Sequence, residues 1–375
     1  QRQMCIRDSA EGFEKYASKY RVDPQTGKNN YISVQAEDEL AAVGMAIGAN
    51  WNGARGFTAT SGPGISLMSE FLGLAYFAEV PLVIFNIQRG GPSTGMPTRT
   101  QQSDILSCAY ASHGDTKHVL LFPEDPQECF EFSAEAFNLA ERLQTPVFVI
   151  SDLDIGMNDW VTDKFEWDDE LKYDRGKVLK AEDLDKMDNF GRYLDVDDDG
   201  ICYRTYPGTH PEKGAFFTRG TSHDEYARYT ENGDINEQTL TRLVKKFRTA
   251  SELVPDPIIN LSEKQGSSGV IFYGSTSAAM YEAKDILNEN NIEVDLMRIR
   301  SFPFNLDVWE FIENHDLIYV IEQNRDSQMR TLIMAEGGIS AEKLRSLVWF
   351  NGDPIQAKFI AKKIYERESQ QALIT

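Results

Sequence analysis

Cysteine is scarce in this chain, and no two cysteines stand close enough to act together. Cys5, Cys108, Cys129 and Cys202 are far apart, with no CxxC pair among them. That excludes a self-contained zinc or iron–sulfur site and makes a reducing, cytoplasmic compartment the expectation. Histidine is equally thin, and neither His210 nor His223 has a helical HExxH partner, so zinc hydrolysis is unsupported. No apolar run approaches the length of a membrane span, and the opening residues show no secretory pattern. Basic residues number 38 against 59 acidic ones, a net charge of -21. Nucleic acid and anionic membrane surfaces are thereby excluded as partners, and a solvated acidic surface accounts for the excess.

What is present is α/β rhythm. With 375 residues the chain can hold two domains with sizeable cores. Residues 58–100 organise it: a strand ending at Thr60, the turn Ser61-Gly62-Pro63-Gly64, an apolar helix, a strand over 81–87, and a glycine-rich loop from Arg89. This is a βαβ unit with a right-handed crossover, and both glycine loops fall at the carboxyl ends of strands, where such sheets bind ligands. Further strands are expected at 31–34, 119–122 and 146–151, with a helix over 125–142 that buries Cys129 in its apolar stripe. Residues 10–151 thus read as a parallel, doubly wound domain of five strands. Residues 152–257 form an acidic, loop-rich connector with one helix over 236–251, and 258–375 repeat the βα pattern as a second, smaller domain. Residues 1–9 lack a starting Met and any apolar periodicity, and they read as a non-native remnant.

Several residue types at strand ends carry candidate chemistry. Glu37, Asp38 and Glu39 precede a helix, where acids suit the macrodipole; alternatively Glu37 is a shielded carboxyl in the cleft, able to share a proton. Gly44 and Gly48, one turn apart on that helix, imply close backbone approach. Arg89 offers a planar, permanently charged fork suited to a carboxylate, or is an exposed arginine paired with Asp104. Asp195 to Gly200 matches the start of a calcium loop, but Tyr206 stands where a glutamate is required, so an acidic turn is preferred. The turn Gly274-Ser275-Thr276-Ser277 could receive a phosphate, although an N-cap serine is the simpler reading.

Five motifs in order complete the picture: QAEDE (35–39), TATSGPG (58–64), NIQRGGPSTGMPT (86–98), FFTRGTSHDE (216–225) and VIEQN (320–324). Together they resemble the alpha subunit of 2-oxoacid:ferredoxin oxidoreductases, most closely the 2-oxoglutarate branch, over about residues 31–353. The family's earlier strand with its Tyr-Pro-Ile-Thr-Pro loop, and its fused gamma domain, have no counterpart here. Amino-terminal truncation is therefore expected, with loss of the first strand and part of the substrate pocket.

The resemblance implies a pyrimidine-binding-like thiamine domain followed by a transketolase C-terminal-like domain. It implies oxidative decarboxylation of a 2-oxoacid, best 2-oxoglutarate, to its acyl-CoA, with electrons passed to ferredoxin. Glu37 falls where the family hydrogen-bonds the aminopyrimidine ring of thiamine diphosphate. Arg89, with Thr98 as a weaker second, matches the substrate-carboxylate position, and Thr60, Ser61, Gly62 and Gly64 frame the cofactor. Thiamine enzymes hold the diphosphate and its metal through a Gly-Asp-Gly motif, which this sequence lacks. A beta subunit carrying the diphosphate contacts, Mg2+ and a [4Fe-4S] cluster would supply what is missing, in an alpha2beta2 or larger heteromer. A pyruvate- or indolepyruvate-specific relative, another thiamine enzyme of this architecture, and a non-catalytic assembly subunit remain as alternatives.

Overall fold

The structure is a computed structural model that describes residues 4–168, 170, 172–263 and 268–371. Among the described residues ten strands form two five-stranded sheets, so the α/β expectation holds. In the first sheet the order is β1 (Phe57–Thr60), β2 (Leu82–Gln88), β4 (Pro146–Asp152), β3 (Val119–Leu121) and β8 (Ser301–Phe302). In the second it is β10 (Leu344–Val348), β9 (Ile318–Glu322), β6 (Ser268–Tyr273), β7 (Val294–Ile299) and β5 (Ile258–Asn260). All neighbours run parallel except β3–β8 and β5–β7. The strands β2 and β4 are near-continuous apolar runs because helices cover both faces of the sheet. Leu82 and Ile84 enter one core with the helices Glu39–Trp51 and Gly62–Phe77, while Val83 enters another with the helix Pro126–Leu143. No helix among the described residues is long and apolar enough to cross a membrane.

Three features depart from expectation. Residues 31–34 form no strand; Ile32 and Val34 are 82% and 62% exposed, and only Tyr31 packs inward, edge-on to Phe13. An alternating apolar tetrapeptide is no strand without a ladder partner, and β1 offers its pairing edge to β2 alone. The fifth strand of the first sheet comes instead from the other unit, where β8 follows β7 almost at once and pairs antiparallel with β3. Residues 4–9 begin the helix Met4–Tyr20.

Residues 153–257 contain three helices, Leu153–Met157, Ala181–Asp185 and Gly233–Ser251, where one was expected. This connector is pinned to the first sheet by Glu79, which is buried just past the helix Gly62–Phe77. The Glu79 carboxylate accepts from Arg242 (2.5 and 3.1 Å) and from Lys246 (2.9 Å), and its carbonyl accepts from Arg192 (2.8 Å). Burial alone would push that carboxyl up, but the charges of Arg242 and then Lys246 outweigh it and hold it well below the carboxylate range.

Glu79→Gln keeps the shape but leaves buried cations without their carboxylate, so urea denaturation should show a loss of about 3–5 kcal/mol at neutral pH. Because the folded pKa lies below the unfolded value of ~4.3, the stabilisation is complete above that pH and lost as pH falls through the acid range. The gap between wild type and variant should therefore close on acidification. A constant gap from pH 7 down to pH 3 would refute the charge argument.

Candidate functional site

The carboxyl edge of the first sheet brings the sequence candidates together. Register places Thr60 beside Asn86 and Asn86 beside Ile150, with Gln88 beside Asp152 one step further along. Ser61 is the N-cap residue of the helix Gly62–Phe77, and Arg89 follows β2 directly. The turn fits only glycine: a Cβ on Gly64 would overlap Thr60 Oγ1 and meet Glu39 Cγ at 3.0 Å. A Cβ on Gly62 would stand 2.8 Å from Asp104 Oδ1. The start of the helix Glu39–Trp51, the turn and Asp104 are thus in close contact.

The acidic triplet divides its labour. Asp38 is the N-cap and accepts from the Ala41 N–H at 2.8 Å, while Glu39 packs its stem toward Gly64. Glu37 is exposed and makes no hydrogen bond or ion pair among the described residues. It does not end a strand, and nothing among the described residues shields it. Gly44 is closely approached, by the Phe71 ring at 3.3 Å, whereas nothing lies within 4 Å of a Cβ on Gly48.

Arg89 is half-buried, and its Nε is buried with no hydrogen-bond partner among the described residues. No ion pair joins it to Asp104 among those residues, so the paired surface arginine is not what forms. Asp104 is instead held by Asn86 Nδ2 at 3.1 Å, and its own N–H donates to Gln88 Oε1 at 3.0 Å. Burial pushes the Asp104 carboxyl up, against the Asn86 hydrogen bond and the Arg89 charge. The loop after Arg89 folds on itself: the Gly90 N–H donates to Arg99 O (2.8 Å) and the Met96 N–H to Gly90 O (2.7 Å). Thr98 is exposed on this loop. Arg99 pairs with Asp353 at 2.9 Å, which ties the loop to the second unit.

A buried polar cluster joins the strand ends of both sheets. Ser275, after β6, donates to Asp152 Oδ2 at 2.6 Å, and Gln323 Nε2 donates to Ser275 Oγ at 2.9 Å. Gln102 and Gln323 exchange backbone and side-chain bonds of 2.8 and 3.1 Å, and Asn324 Nδ2 donates to Gln102 O at 2.9 Å. Burial raises the Asp152 carboxyl, opposed by the Ser275 hydroxyl and the N–H groups of Ile155 and Asp154. Ser275 makes no N-cap bond. Its hydroxyl is spent on Asp152 rather than on a helix end or a phosphate. Sequence reasoning missed Gln102 and Asp152; the signals for this cluster were the VIEQN run and the Gly274–Ser277 turn. In the connector, Asp195 accepts from the N–H groups of Asp199 (3.1 Å) and Gly200 (3.0 Å), and Lys177 bridges Asp197 and Asp199. That is an acidic turn, and no metal-ligand group occurs among the described residues.

Comparison with known proteins gives a consistent result. Residues 9–248 match the family described as pyruvate flavodoxin/ferredoxin oxidoreductase, thiamine diphosphate-binding. A 2-oxoacid:ferredoxin oxidoreductase 1 subunit alpha of Sulfurisphaera tokodaii is 35% identical over 357 residues, covering 92% of this chain and 54% of the relative. The 2-oxoglutarate synthase subunit KorA of Methanothermobacter thermautotrophicus is 33% identical over 341 residues, 85% of each chain. The solved 2-oxoglutarate:ferredoxin oxidoreductase from Magnetococcus marinus, with 2-oxoglutarate, coenzyme A and succinyl-CoA bound, superposes with a TM-score of 0.79 at 28% identity. That match covers 89% of this chain and 56% of that one. The chain therefore spans about half the length of the first of these relatives and of the solved structure.

Gly64→Ala should unfold at lower temperature than wild type, because Thr60 or the start of the helix Glu39–Trp51 must move. Gly48→Ala, with open space around its Cβ, should gain up to about 1 kcal/mol from helix propensity. Thermal denaturation of the two variants checks this, and equal midpoints would show that the turn is not sterically fixed.

Proposed function

Because the chain belongs to the pyruvate flavodoxin/ferredoxin oxidoreductase family, we propose that it is the alpha subunit of a thiamine-diphosphate-dependent 2-oxoacid:ferredoxin oxidoreductase. The substrate proposed is 2-oxoglutarate, converted with coenzyme A to the acyl-CoA, with carbon dioxide released and electrons passed to ferredoxin. The observation that carries this reading is one strand edge that combines a glycine-only turn with an arginine whose buried Nε is unpartnered.

The residues present fit the cofactor's aminopyrimidine half. The turn Ser61–Gly64 lets a ring approach the backbone closely, and Glu37 is exposed two residues before Glu39, whose stem reaches that turn. Bound there, thiamine diphosphate would supply the electron sink for loss of carbon dioxide. Glu37 is assigned to hold the proton on the ring nitrogen, a task for a carboxylate taken out of water. Arg89 is assigned to orient the substrate carboxylate through its planar fork, with Thr98 secondary. Asp104 and Asn86 keep the turn and the arginine in their relative positions. A beta subunit is proposed to bring the diphosphate contacts, Mg2+ and the [4Fe-4S] cluster, in an alpha2beta2 or larger heteromer. The buried free thiols Cys108 and Cys202 fit a reducing, cytoplasmic setting.

In the enzyme reconstituted with its partner subunit, Glu37→Gln should slow hydrogen–deuterium exchange at the thiazolium carbon and lower turnover at least about a hundredfold. Unchanged exchange would pass the role to Glu39, whose stem already touches the turn.

Arg89→Lys should raise the Michaelis constant for 2-oxoglutarate, and Arg89→Met should raise it further, by at least about tenfold. Each charge-assisted bond lost is worth ~1.5–3 kcal/mol. Thiazolium exchange should stay intact in both variants. Normal steady-state kinetics in Arg89→Met would remove the arginine from the substrate site, and lost exchange would make it structural.

A further inference from the structure

Four buried side-chain donors converge on one small cavity far from the cofactor edge. They are Trp51 Nε1, Arg192 Nε and Nη1, and Arg204 Nε, none with a hydrogen-bond partner among the described residues. The cavity measures about 10 Å³, room for one body of about a water's size. Its walls are Trp51, residues 78–81, the two arginines, Thr205, Tyr206 and Phe216. Arg192 and Arg204 are only 3% and 4% exposed.

The local charges are unbalanced in the same direction. Glu79 is committed to Arg242 and Lys246, and Glu141 to Arg55 (3.1 Å) and Arg175 (2.8 Å), with Arg204 no nearer than 3.9 Å. Arg192 has one bond to the Glu79 carbonyl, at 2.8 Å, and Arg204 has bonds to Arg175 O and the Tyr206 hydroxyl at 3.0 and 3.2 Å. Neither guanidinium has a carboxylate of its own. Burial pulls Arg204 down to about 10, as expected of a buried cation short of negative charge. An unpaired buried cation is costly, and unmade hydrogen bonds from several donors at one point add to that cost.

We propose that this cavity is a binding site for one small monovalent anion of the halide class, held by Arg192, Arg204 and Trp51. A water molecule suits the site less well: its own hydrogens need acceptors, and the unpartnered side-chain atoms lining the cavity are all donors. A phosphate or carboxylate is too large for the space. The position gives the site a structural role. Trp51 is the last residue of the helix Glu39–Trp51, and Ala78 caps the end of the helix Gly62–Phe77. Both helices begin at the candidate cofactor edge, so the anion ties the connector to their far ends. This inference does not depend on the proposed reaction.

Thermal unfolding of the full chain in sodium chloride, sodium bromide and sodium gluconate at matched ionic strength tests it. The midpoint should rise saturably with either halide and stay flat in gluconate. Trp51→Phe removes one donor while keeping a ring against Phe216, and it should raise the half-saturating bromide concentration roughly tenfold. Crystals soaked in bromide should show an anomalous peak between Arg192 and Arg204. Equal midpoints in all three salts with no bromide peak would overturn the proposal. So would halide stabilisation that Trp51→Phe leaves unchanged.

Discussion

The hydrogen bond from Ser275 to Asp152 is the contact on which the arrangement of the two sheets depends. It joins the end of β4 to the end of β6 in a place without water, where a carboxylate must be satisfied or pay a large desolvation cost. Gln323 and Gln102 extend it, and every bond in that chain crosses between the units or fixes a strand end. Polar clusters satisfied in this way specify one arrangement, since any other leaves donors and acceptors unmade. Gln102 also closes the loop that begins at Arg89, and its neighbour Gln101 accepts the Gly91 N–H. The position of the candidate substrate arginine is therefore set from the second unit as much as from the strand it follows.

Charge is handled differently inside and outside. The chain carries a net charge of -21, yet three of its buried carboxylates are each met by more than one cation. Glu128 is gripped by Arg298 in two-pronged fashion and also by Arg300, Glu79 by Arg242 and Lys246, and Glu141 by Arg55 and Arg175. Each group links elements distant in sequence: the first helix layer to the connector, or the helix Pro126–Leu143 to β7. The acidic excess is thus a surface property, while the interior runs locally short of negative charge.

What the sequence made legible follows from local physics. Alternating and continuous apolar runs located β1, β2, β4 and most of the second sheet, because burial on one or two faces leaves a periodic trace. The glycine turn was legible because only glycine tolerates Thr60 and Glu39 at that distance. The segment 31–34 carried the same periodicity without a partner, and periodicity alone cannot reveal that. The two-residue strand β8 is too short to leave any pattern. Ser275 read as an N-cap because capping is a local motif, whereas its actual partner Asp152 lies 123 residues away. Asp104 is a single polar residue near a loop, and only the fold shows it pressed against Gly62 and held by Asn86.

Glu37 makes the strongest demand on what lies beyond this chain. A carboxylate in water has no reason to share a proton with a ring nitrogen; it does so when desolvated beside its partner. Exposed apolar side chains occur on the same stretch of chain: Ile32 and Val34 before it, and Leu40 at the start of the helix it precedes. In the proposed enzyme the covering surface has to come with the diphosphate half of the cofactor. Desolvating Glu37 and completing the site are then the same event, and the acid–base chemistry is withheld until the second subunit is in place.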